Sequence, residues 1–82
     1  MKKVAAVLRA NADELALLDA ANCGNPIKEM KNDAVVAAMM IEFCAGLVTE
    51  VKGETIPMGE GVLNMSVREP YGVVGRIVAY NH

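Results

Sequence analysis

The sequence predicts an α+β chain: a helical hairpin with one long buried helix, then a β-hairpin, then a terminal buried strand. Three observations carry this. Residues 34–48 contain a single charge, Glu42, in a stretch otherwise apolar or small. A helix apolar almost all round is a buried helix. After Gly53 the hydrophobic period changes from helical to alternating. Finally, Pro70 and Gly72 punctuate a turn before residues 73–80, a run of Val, Ile and Tyr broken by one Gly, one Arg and one Ala. Such a run fits a strand covered on both faces, as the parallel strands of α/β proteins are.

The elements follow in order. Residues 2–10 form a first helical segment, with Val4, Val7 and Leu8 at i, i+3, i+4. Asn11 then interrupts, and Asn11-Ala-Asp-Glu14 fits an N-cap with an acid three residues on. Asp13 and Glu14 suit the positive end of the next helix dipole. The two segments read equally well as one bent helix. Gly24 suits a C-terminal stop, and Asn25-Pro26 a restart with Asn as cap and Pro as first helical residue. The long helix is expected from Pro26 to about Lys52, antiparallel to its predecessor across the tight turn. Met30, Met39 and Met40 supply adaptable packing. Thr55-Ile-Pro57 is a short extended piece and Gly59-Glu-Gly61 a turn. Residues 62–68 alternate, with Leu63, Met65 and Val67 on the face expected to be covered.

Composition narrows the function classes. The 82 residues suffice for one small domain, yet 54% are hydrophobic and 22% charged, which is apolar for a chain with so much surface. A formal net charge of -2 favours neither nucleic acid nor an anionic membrane. The apolar residues between Lys3 and Arg9 are too few for a signal-peptide core, and no uninterrupted apolar run reaches the length of a membrane span. The expected compartment is the cytoplasm. Cys23 and Cys44 form no metal-binding spacing. Cys23 falls at the helical turn and Cys44 about 18 residues up the second arm, about 27 Å away at helical rise. A disulfide needs Cα atoms within about 7 Å, so one chain cannot join them.

The C-terminal stretch, Arg68-Glu-Pro-Tyr-Gly-Val-Val-Gly-Arg-Ile-Val-Ala-Tyr-Asn-His82, resembles the aldehyde dehydrogenase superfamily. There the corresponding segment reads Arg-Glu-Pro-x-Gly-Val-Val-x-x-Ile-x-Pro-Trp-Asn-x-Pro. Ala79 stands where the family has Pro, and Tyr80 where it has Trp. Three other stretches are also similar: Leu17 onward through Gly24-Asn-Pro26, Phe43-Cys-Ala-Gly46, and Val51 onward through Ile56-Pro57. The resemblance implies an α+β fragment of an α/β enzyme. It divides the chain into a helical part of a cofactor-binding domain (1–53), an oligomerisation-type hairpin (54–70) and the first strand leading to the active site (71–82).

The same resemblance implies the site residues. Asn81 would donate its amide N–H to the oxyanion formed when a cysteine thiolate attacks an aldehyde. Ile77, Val78, Ala79 and Tyr80 would line the cofactor side of the strand. An Asn can also simply cap a strand end, and Ile77 to Tyr80 can simply be strand. The remaining chemistry-bearing residues point elsewhere. Cys23 and Cys44 lie outside the family's catalytic motif and read as inert packing residues. His82 has no orienting partner that sequence can name. Glu42 is expected to face outward or to meet a Lys or Arg. Gly72 and Gly75 do not form a dinucleotide phosphate loop.

The implied enzyme uses NAD or NADP to oxidise an aldehyde to a carboxylic acid. This chain alone is expected to bind no cofactor and to be inactive. The expected partner is a second copy of itself, most simply in a dimer, and the alternative function is a non-catalytic, self-associating module.

Overall fold

The structure is a computed structural model and describes residues 1–78. It contains α1 (Lys2–Ala10), α2 (Ala12–Cys23), α3 (Ile27–Gly46), a 3-10 turn (Leu47–Glu50), β1 (Thr55–Pro57) and β2 (Leu63–Met65). An α+β chain with a helical hairpin followed by a β-hairpin is therefore present. The chain divides into two compact units, Met1–Val48 and the part beginning at Thr49.

In the first unit α3 packs against both α1 and α2. Ala and Leu dominate α1 and α2, and they are the strongest helix formers. The two behave nearly as one bent helix. Backbone i to i−4 hydrogen bonds run across the joint, from Asn11 N–H to Val7 O and from Leu15 N–H to Asn11 O. One inward seam also crosses it: Ala5, Leu8, Ala12, Leu15 and Ala16 are buried or half-buried. The expected face through Val4 and Val7 instead points to solvent. Nor does Asn11 cap α2. Its side-chain amide turns back and donates to the Val7 carbonyl at 2.8 Å, satisfying the end of α1.

Gly24 ends α2 as expected. It takes the left-handed conformation, φ 76, and its N–H reaches the Ala20 carbonyl at 2.9 Å. The restart differs by one residue. Pro26 occupies the N-cap position and its carbonyl accepts from Glu29 and Met30, while the Asn25 side chain faces the Met30 sulfur. The fixed proline φ and extended ψ place that carbonyl over the first turn.

α3 ends at Gly46, and the chain tightens into a 3-10 turn rather than continuing as α-helix to Lys52. Its seam of Met30, Ala34, Ala38, Ile41 and Ala45 turns inward. The helix is not buried on its other side, where Val35, Val36, Met39, Met40 and Phe43 are exposed, Phe43 by 62%. α1 and α2 together line only one flank of a helix this long. The core is correspondingly small: Ala5, Ala16, Ala38 and Met30. Met30 contributes roughly 1.5–3 kcal/mol on burial and each alanine methyl about 0.8 kcal/mol.

Ile27–Glu50 also has the length and composition of a membrane span, with a mean hydropathy of 1.4 over its most apolar window. Counting only uninterrupted apolar residues misses this. Yet α3 carries Lys28, Glu29, Lys31 and Asp33 in its first two turns and Glu42 about one turn before its end. Charged side chains there suit a helix packed on α1 and α2 better than one in hydrocarbon.

The second unit is built on an antiparallel pair, with Thr55 opposite Met65, Ile56 opposite Asn64 and Pro57 opposite Leu63. Gly59 and Gly61 take positive φ in the connecting turn. Ser66 extends the pairing twice: its N–H donates to the Glu54 carbonyl and its hydroxyl accepts from the Glu54 N–H, both at 2.9 Å. Gly53 passes so close to the Ser66 carbonyl that a Cβ there would collide with it.

The alternation in this stretch is present, but the covered face is the opposite one. Asn64 and Ser66 are half-buried, whereas Leu63 (73%), Met65 and Val67 are exposed. Among the described residues of this unit, none buries the apolar face. The terminal strand is also absent from residues 73–78, where Val73 and Ile77 are fully exposed. A strand exists through a hydrogen-bonded neighbour, and the described residues supply none to this segment.

Candidate functional site

The residues singled out for chemistry fall at the far end of the chain. Ile77 and Val78 are exposed. Asn81, Ala79, Tyr80 and His82 lie outside the described residues. Among the described residues, no group of three His, Cys, Asp or Glu side chains could hold a metal.

The two cysteines are free thiols at separate places. Cys23 is the last residue of α2, and Cys44 sits in the last turn of α3. Both are exposed, so neither is the packing residue that the sequence suggested.

Glu42 does meet a cation. Its two carboxylate oxygens accept from the two terminal nitrogens of Arg9 at 2.5 and 2.6 Å, a bidentate bridge from α1 to α3. This planar fork-to-carboxylate match is the strongest ion-pair geometry available to side chains. The hydrogen bonds from Arg9 hold the Glu42 carboxyl below the usual carboxylate range, and Glu42 raises the Arg9 guanidinium further above its own. A carboxylate so engaged is a structural tie, not a free acid or base.

A single ion pair, Lys31 Nζ to Asp13 Oδ1 at 2.8 Å, joins α3 to α2 through more exposed side chains. Sequence reading missed both partners, Arg9 and Asp13. The signal for the second was available: antiparallel helices pivoting at Gly24 bring residues before the turn opposite residues after it. In the second unit, Arg68, the first residue of the C-terminal motif, donates from Nε to the Lys52 carbonyl at 3.3 Å. An open depression lined by Leu18, Asp19, Ala21 and Asn22 belongs to one helix and has no facing wall.

The helical hairpin, the Gly-rich β-hairpin entry and the Arg-Glu-Pro motif thus occur in the order that the resemblance requires. The aldehyde dehydrogenase family pattern matches residues 1–82, and the chain belongs to that family, whose members generally use NAD or NADP. It is similar to Aldehyde dehydrogenase tropH of Talaromyces stipitatus, at 46% identity over 85 residues. That match takes in 100% of this chain and 16% of the relative, so the chain spans about a sixth of that protein's length. No solved structure matches the chain.

Proposed function

We propose that this chain is a segment of an NAD(P)-dependent aldehyde dehydrogenase, an enzyme oxidising an aldehyde to a carboxylic acid, and that the segment alone is inactive. The observation that carries this is the family match over residues 1–82 set against 16% coverage of a relative. Inactivity is supported by the state of the reactive groups. Cys23 and Cys44 are exposed on separate helix ends, outside the family's nucleophile motif, and Glu42 is engaged by Arg9.

Within the longer enzyme, residues 1–53 serve the cofactor-binding domain, 54–70 the oligomerisation hairpin and 71–82 the strand into the active site. Ile77, Val78, Ala79 and Tyr80 form an apolar wall beside the cofactor. Asn81 donates its side-chain N–H to the oxyanion that develops as thiolate adds to the aldehyde carbon. Such a donor acts because it is already aimed where charge appears, and losing one costs about 10²–10³-fold in kcat.

The test has two arms. The purified chain, given aldehyde and NAD or NADP, is expected to form no reduced cofactor; turnover that Asn81→Ala abolishes would overturn the inactivity. In the second arm, residues 1–82 replace the matched segment of the Talaromyces stipitatus protein. The chimera is expected to oxidise aldehyde, and Asn81→Ala to lower its kcat by about 10²–10³-fold. A folded chimera indifferent to Asn81→Ala would remove Asn81 from the site.

A second reading is a non-catalytic module that self-associates. The exposed apolar side chains of α3 and of the β-hairpin favour it.

A further inference from the structure

We draw no further inference here: the strongest candidate, the outward apolar stripe of α3 through Val36, Met40 and Phe43, carries nothing because nothing in the structure shows what covers it, a second copy or another part of a longer enzyme.

Discussion

Glu42 is the one charge in residues 34–48, and its position explains why a charge is tolerated there. It lies beside the inward seam of α3, close enough to α1 for Arg9 to reach it with both guanidinium nitrogens. The pair is half-open to water, with side-chain exposures of 39% and 42%, so its contribution is screened. Its sign with pH is nonetheless defined. The folded carboxyl titrates below its unfolded value because Arg9 bonds the charged form. The stabilisation is therefore complete above the unfolded value, about 4.3 for a glutamate, and is lost as pH falls through the lower, folded one. Glu42→Gln is expected to flatten this acid limb in thermal melts followed by circular dichroism from neutral to acidic pH. Parallel acid limbs for the two proteins would show that the bridge does not form in solution.

Gly53 supports a second prediction at this scale. The Ser66 carbonyl occupies the space of its missing side chain, and backbone cannot swing aside as a side-chain tip can. Gly53→Ala should therefore force the Glu54–Ser66 pairing apart, at an overpacking cost of about 1–3 kcal/mol. The reading would be lost cross-strand NOEs between Thr55 and Met65, the outer residues of the paired register. Retained NOEs would place the two backbones farther apart than the structure has them.

Among elements, the Gly24 stop was legible, whereas the Asn11 and Asn25 caps and the end of the long helix near Lys52 all differ in the structure. Gly24 and Gly46 differ in kind: the first follows α2, the second is the last residue of α3, and only the first needs to be glycine. Gly24 has φ 76, where a Cβ is strained, so Gly24→Ala should destabilise the helical unit by about 1–2 kcal/mol. Gly46 is helical with open space around its Cβ position, so Gly46→Ala should stabilise by up to about 1 kcal/mol. Opposite shifts in melting temperature are expected, and shifts of the same sign would contradict the assigned backbone.

Gly24 could be read because its role is local. Which face is covered could not, because that depends on what lies opposite. Val4 and Val7 looked like the inner face of α1, but alanines allow a closer approach and Ala5 faces in. Leu63 and Met65 alternate as a covered face should, yet no element among the described residues of their unit covers them. The 73–80 segment has the composition of a buried strand and, through residue 78, no strand to join. The candidate site was legible only as motif. Asn81 is proposed for the site only from the motif around it in sequence, and it lies outside the described residues.

At the scale of the molecule, the unmet demand is apolar surface. Side chains that usually drive folding are exposed in both units: Val36, Met40 and Phe43 on α3, and Leu63, Met65 and Val67 on the hairpin. Contiguous apolar surface of this kind marks a contact that water does not make well. The segment from Val73 to Val78 adds backbone groups without strand partners, a template for pairing with another chain. If the chain self-associates, a two-fold partner meets both needs at once, since each patch on one copy finds its equivalent on the other. Light scattering at low micromolar concentration should then give at least twice the mass of one 8.7 kDa chain. The unfolding midpoint should rise with protein concentration, because association stabilises by mass action. Val74→Lys, placed in the unpaired segment, should lower the mass and the melting temperature together. A folded, helical sample with the mass of one chain would defeat self-association and leave a longer enzyme as the occupant of these surfaces. A variant Val74→Lys that remains associated would move the contact away from the C-terminal segment.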